Sequence, residues 1–178
     1  MARPKPDKTT LLRALAAYVL EHGLNTASLR PMAAAAGTSD RMLIYHFGTK
    51  EALIAEILEF LAVQMADGLD AALPQAPFES EQALVRQVVA LMRSEPFRPY
   101  SRVWLDIVSA AAQGQAAHVE AGGKIIDAFR DWLAARHPDG AARASALLTL
   151  IEGIIVMDAV GRGDVADAAM AALPARPE

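Results

Sequence analysis

Between Ser39 and Phe47 the sequence SDRMLIYHF gathers an arginine, a tyrosine and a histidine whose spacing matches no catalytic or metal-binding pattern. What those groups do well is hydrogen-bond another polymer. Leu43 and Phe47 lie four residues apart and should pin one face of a short helix, turning Arg41, Met42, Tyr45 and His46 outward. An outward Arg41 presents a fork that pairs with guanine O6 and N7, worth about 1–3 kcal/mol in base discrimination. Tyr45 and His46 suit phosphate or mixed contacts. Lys50 falls in the first turn of the next helix, where a cation opposes the positive end of the macrodipole at a cost of up to about 0.3–1 kcal/mol. A phosphate seated there reverses the sign. The alternative for Arg41 and Lys50 is an ordinary solvated surface position.

Other chemistries find no support. His22, His46, His118 and His137 show no H-E-x-x-H spacing, and the chain has neither a G-x-S-x-G elbow nor a P-loop. With no cysteine, thiolate zinc sites, disulfides and a cysteine nucleophile are excluded. Catalysis is not expected, and no cofactor or metal is called for.

Presenting such a helix requires particular neighbours. Ala33-Ala34-Ala35-Ala36-Gly37-Thr38-Ser39 supplies small side chains for a close helix crossing, a glycine for positive φ and Ser39 as a cap, which is a helix-turn-helix signature. The preceding helix starts at Ser28, whose hydroxyl can cap free N–H groups, and carries Pro31 in its first turn. Before it, a helix from Lys8 to His22 with Leu12, Leu15, Ala16 and Val19 on one face ends at Gly23. After it, Thr49 caps a long helix reaching to Leu73. Further helices are predicted over 80–94, 101–113, 116–136, 140–160 and, near the end, 165–173; period-two strand patterns are absent.

Charge divides along the chain. Residues 1–50 carry seven Lys/Arg against Asp7, Glu21 and Asp40, a net +4, and the remainder supplies the −8 that brings the whole to −4. A basic front end meets phosphate while an acidic body is repelled by it. Arg3 and Lys5, in a proline-bearing arm, are candidates for minor-groove or phosphate contacts. The most apolar stretch, Leu147 to Met157, is broken by Glu152 and is too short to span a membrane. A cytoplasmic protein without a membrane partner is expected.

The segment ALAAYVLEHGLNTASLRPMAAAAGTSDRMLIYHFGTKEALIAEIL resembles the N-terminal domain of the TetR family. Gly23, Ser28, Ala36-Gly37, His46-Phe47 and Lys50-Glu51 fall in the family's order without insertion. The resemblance covers the first third of the chain. It implies an all-α protein in which a three-helix helix-turn-helix domain, 1–50, is joined by a long helix to a helical ligand-binding and dimerisation domain, 51–178. It implies double-stranded operator DNA as partner, with Ser28, Ser39, Arg41, Met42, Tyr45, His46 and Lys50 at the interface, Ser28 and Lys50 on phosphates. Two departures stand out. The family's backbone-contacting tyrosine is displaced from Ile44 to Tyr45, roughly 100° around the helix, so Ile44 either meets a thymine methyl or packs. Arg41-Met42 replaces the common Gly-Ala or Gly-Thr pair, implying a different operator.

The same resemblance implies a homodimer through the last two long helices, where Ile126, Phe129, Leu133, Leu148, Ile151 and Ile155 form apolar stripes. It also implies release from DNA by a small, largely apolar effector, the usual family behaviour being repression. Met65, Met92, Phe97, Tyr100, Trp104, Val108 and Met157 are the large adaptable side chains suited to line its pocket, or equally to fill the core. Asp106, Glu152 and Asp158, set in apolar runs, either recognise a polar ligand group or face solvent. A helical scaffold without DNA binding is the competing class.

Overall fold

The computed structural model describes residues 7–173, all helix and connection with no strand among them. Asp7 opens α1 (Lys8–His22) by accepting the Thr10 N–H at 2.7 Å. Leu11, Leu15, Ala16 and Val19 are its buried face; Leu12, predicted in that stripe, stands at its edge and Leu11 takes its place. A 3-10 turn, Leu24–Thr26, follows Gly23 and was not foreseen. Then come α2 (Leu29–Ala35), α3 (Asp40–Phe47) and α4 (Lys50–Ala72).

α5 (Glu81–Met92) starts on the Ser80 hydroxyl, which accepts the Ala83 N–H at 3.1 Å. α6 (Arg98–Ala112) begins three residues earlier than predicted, because Pro99 sits inside its first turn, where a missing N–H forfeits no helical bond. α7 (Ala116–Arg136), α8 (Ala141–Ala159) and α9 (Gly163–Ala171) complete the chain, α9 starting two residues before and ending two before the predicted span.

These elements form two compact units. The first comprises the described part of Met1–Met65 with Arg102–Gly122, so it is wider than the predicted 1–50 domain. Leu15, Val19, Met32, Leu43, Leu53 and Ile57 are buried in it. α6 fastens the end of α1. The Arg102 guanidinium donates to the carbonyls of Leu20 and, at 3.0 Å, Glu21, two groups that a helix terminus leaves without intrahelical partners. Asp106 accepts the Leu24 N–H at 2.8 Å and the Asn25 side-chain amide at 2.6 Å. Asp106 therefore neither waits for a ligand nor faces solvent; it is a charge-assisted clasp on the 3-10 turn.

The second unit comprises Ala66–Ser101 and the described part of Gly123–Glu178. Leu84, Val85, Val88 and Val89 of α5 are buried here, as are Leu147 and Ile154 of α8 and Ala166 of α9, where these three helices pack together. Arg93 binds Asp158 through two nitrogens, at 2.7 and 2.8 Å, and Asp167 at 2.7 Å, tying α5 to α8 and α9 and removing Asp158 from the ligand candidates. Phe97 lies directly on α4 at Gly68, where an added Cβ would come within 2.9 Å of its ring, so any larger residue requires the ring to shift. Buried Arg136 lies over the Trp132 ring at 4.1 Å and donates to Asp70 at 2.6 Å, an oxygen that also accepts the Trp132 indole N–H. Buried His137 accepts the Asp139 N–H on Nδ1 and donates from Nε2 to Glu81 at 3.1 Å, while Arg143 grips the same carboxylate at 3.1 and 3.2 Å.

Candidate nucleic-acid interface

The turn between α2 and α3 follows from its composition. Gly37, at φ +63°, donates to Ala34 O at 3.1 Å, and Thr38 donates to Ala33 O at 2.9 Å, a paired closure that uses up carbonyls at the end of α2. A non-glycine residue is strained in that left-handed conformation. Ser39 then caps α3, accepting the Met42 N–H at 3.4 Å, and Asp40 places a negative charge at the positive end of the helix. α2 packs on both α1 and α3.

Leu43 and Phe47 are buried as their spacing predicts, and they fix the rotation of α3. Arg41 is exposed and Tyr45 keeps 77% of its surface. Ile44 stands outward as well, 37% exposed, so the outermost stripe is Arg41, Ile44 and Tyr45. Most of the Ile44 surface is nevertheless covered, so it packs on one side and is open on the other. Met42 and His46 are half-buried at the flanks, less outward than predicted, because α3 is turned toward Ile44 by its two anchors. His46 is held edge-on between Tyr45 and Phe47, with ring centroids 5.3 and 6.4 Å away.

Lys50 is exposed at the start of α4, after Thr49, whose hydroxyl accepts the Ala52 N–H at 3.1 Å. Ser28 occupies the cap position of α2, but its hydroxyl makes no capping bond, contrary to the expectation from its type. That hydroxyl stays exposed and available to an outside acceptor. Arg13 and Arg30 are exposed too, and neither they, Arg41 nor Lys50 forms an ion pair among the described residues. Lys8 differs: though exposed, its ammonium meets Glu56 at 2.7 Å and lies 5.1 Å from the centre of the Phe47 ring, bracing α3. Arg3 and Lys5 lie outside the described residues. Sequence reasoning left Ile44 open between an outward and a packed position, and it missed the Arg102–Asp106 clasp. No pattern in the sequence signals the clasp.

The residues predicted to line an effector pocket are divided between the units, Met65, Trp104 and Val108 in the first, Met92, Phe97, Tyr100 and Met157 in the second. Val108 is exposed, Met92 and Phe97 are buried, and the rest are intermediate. Of the predicted dimer face, Leu133 and Ile151 have no exposed surface and Phe129, Leu148 and Ile155 retain little, with Ile126 intermediate. Those buried side chains fill the second unit's own core, since the inward faces of α7 and α8 claim them. Among the described residues no group of three or more His, Asp or Glu could hold a metal ion, and no helix is long and apolar enough to cross a membrane.

Residues 11–57 match the family model of the bacterial regulatory proteins of the tetR family, and this span encloses the turn, α3 and Lys50. No curated protein matches the chain. Among solved structures, a transcriptional regulator from Rhodococcus sp. Rha1 is 22% identical, with 93% of this chain and 92% of that one covered and a TM-score of 0.68. A TetR transcription regulator from Haloarcula marismortui is 18% identical over 93% of this chain and 96% of its own, TM-score 0.69. The multidrug binding protein EbrR, complexed with imidazole, is 19% identical over 97% and 98%, also with a TM-score of 0.69. These likenesses establish the all-α fold over nearly the full length, and the family match establishes what its first helices are. Residues 11–57 are thus the part of the chain that is similar to the tetR family of bacterial regulatory proteins, while the remaining helices share the all-α fold of the solved regulators.

Proposed function

We propose that the chain is a homodimeric repressor that reads a near-palindromic duplex through α3 and releases it when a small effector binds. The single observation carrying the DNA-reading part is the outward stripe of Arg41, Ile44 and Tyr45 on a helix anchored from behind by Leu43 and Phe47. Arg41 reads guanine, Ile44 meets a thymine methyl, and Tyr45 reaches phosphate. Met42 and His46 make flanking contacts, while Ser28, Ser39 and Lys50 hold the backbone at the starts of α2, α3 and α4.

Support for the dimer comes from the solvent side of α8. Ala142, Ala146, Thr149, Gly153, Val156 and Val160 recur at alternating steps of four and three residues, and every one is exposed. Val156 and Val160 leave 42% and 65% of their surfaces open. A stripe of small and β-branched residues at that period lets a twofold-related helix approach closely. This face takes over from the core residues Leu133 and Ile151. A twofold mate sets two reading helices about 34–36 Å apart, one turn of duplex.

Effector release draws its support from a solved relative. EbrR is a multidrug binding protein whose structures carry imidazole and proflavin; by analogy this chain responds to a small molecule. The Arg102–Asp106 clasp supplies a mechanical route, since any shift of α6 bears on the end of α1 and the 3-10 turn. Selection of bound fragments from random DNA by the purified protein tests the reading. A symmetric consensus with half-sites one helical turn apart supports it; recovery of no DNA, or of unsymmetric and unrelated fragments, refutes it.

A further inference from the structure

Among the exposed residues of α3, which are Asp40, Arg41, Ile44 and Tyr45, only Ile44 is wholly apolar. Its backbone is fixed on both sides. Leu43 before it has no exposed surface, and Gly48, at φ +85°, closes the helix by donating to the Ile44 carbonyl at 2.8 Å. With 37% of its surface open and the rest packed, the side chain is held on one flank and bare on the other. A β-branched residue is stiff about χ1, so little freedom is left to lose when the bare flank is covered.

What the bare flank can meet follows from the reading of α3 as the helix in the major groove, on which this assignment rests. Most of the groove edge consists of donors and acceptors, and an apolar group laid on them removes water without replacing its hydrogen bonds. The C5 corner of a pyrimidine is the exception, because thymine carries a methyl there while cytosine and uracil carry only a C–H. Arg41 lies three residues before Ile44, roughly 4.5 Å back along the helix axis. Base pairs repeat at about 3.4 Å, so the pair under Ile44 adjoins the guanine of Arg41.

We propose that Ile44 reads the C5-methyl group itself, so that each half-site holds a 5-methylpyrimidine beside the guanine of Arg41. Thymine supplies that methyl in ordinary duplex. 5-Methylcytosine supplies the same group at the same corner, which makes binding to a site with cytosine there depend on methylation of the DNA. The group at C4, an acceptor in thymine and a donor in cytosine, stays outside the contact, because Ile44 can hydrogen-bond with neither.

The test uses the full chain and the duplex it selects from random DNA. At each thymine beside a G·C pair, four duplexes are compared, carrying thymine, uracil, cytosine or 5-methylcytosine with the matching purine opposite. Two affinity ratios are taken at fixed base pair, thymine over uracil and 5-methylcytosine over cytosine. Methyl reading makes them equal at one symmetric position, about 4-fold for one half-site and about 15-fold for both, the worth of one buried methyl apiece. Hydrogen bonding at C4, or recognition of duplex shape, leaves both at unity. Ile44→Ala should bring both ratios to unity, while Arg41→Ala leaves them standing. Ratios of unity in the parent chain, ratios that survive Ile44→Ala, or a selected half-site in which no thymine adjoins a G·C pair overturn the proposal. Duplex bound with ratios of unity removes the methyl contact alone and keeps α3 as the reader. If no duplex binds at any salt concentration, the reading of α3 fails and the methyl contact falls with it.

Discussion

On the proposed reading Arg41 and Lys50 divide the work of recognition, and their substitutions should fail differently. Arg41→Ala removes a base contact, so binding to the preferred site should weaken by about 1–3 kcal/mol while binding to unrelated duplex barely changes. Lys50→Ala removes a phosphate contact, so all sequences should weaken alike and the salt dependence of binding should flatten by about one charge. Competition binding with specific and scrambled duplexes at several salt concentrations separates the two. If both variants bind like the parent, α3 is not the reading helix. At this scale much was legible in sequence, since the four-residue step from Leu43 to Phe47 orients α3 whatever lies behind it. Ile44 was not, because its exposure depends on how far the helix rolls between those two anchors, and a few tens of degrees separate a packed position from an outward one.

Helix boundaries were readable where a cap or a glycine marks them, as at Asp7, Ser39 and Ser80. They were misread at Pro99, which starts a helix as readily as it stops one. What joins helices was hidden, because Arg102 and Asp106 meet α1 and its following turn from more than eighty residues away. Two predictions belong to this scale. Gly37→Ala should destabilise the first unit by about 1 kcal/mol, since its φ of +63° is strained for any side chain although nothing lies within 4 Å of the added Cβ; denaturant titration measures it. Asp106→Ala strands the Leu24 N–H and the Asn25 amide, and should cost about 1–3 kcal/mol and weaken duplex binding without altering sequence preference. Unchanged stability in that variant would show that water replaces the clasp.

Acid sensitivity is a property of the whole chain with an identifiable source in Glu81. Burial disfavours its charged form, but hydrogen bonds from Arg143 and His137 outweigh that and hold its pKa below the ordinary carboxylate value of 4.5. A depressed folded-state pKa means that the stabilisation is present above the unfolded value and is lost as pH falls through the folded one. Stability should therefore fall as pH drops below about 4.5, and Glu81→Gln, already weaker at neutral pH, should show a shallower decline when melting is followed from pH 7 downward. The division of charge at residue 50 was legible from the sequence, and Arg13, Arg30, Arg41 and Lys50 are exposed, but it does not follow the two units: the first holds eight Lys/Arg and eight Asp/Glu. The face proposed for a dimer was not legible: the apolar excess on two helices pointed to Phe129, Leu133, Leu148, Ile151 and Ile155, which the chain's own core consumes.

The chain has two tryptophans, and each unit holds one. Trp104 lies beside Gly122 in the first, and Trp132 sits under the Arg136 cation with its indole bonded to Asp70 in the second. Each fold half thus carries its own optical gauge. Trp104→Phe and Trp132→Phe leave one emitter apiece, and melting followed by fluorescence in the two variants reports whether the halves come apart in one step or in succession. Coincident curves would mark a single cooperative transition, whereas separated midpoints would reveal a partly melted species with one half still standing.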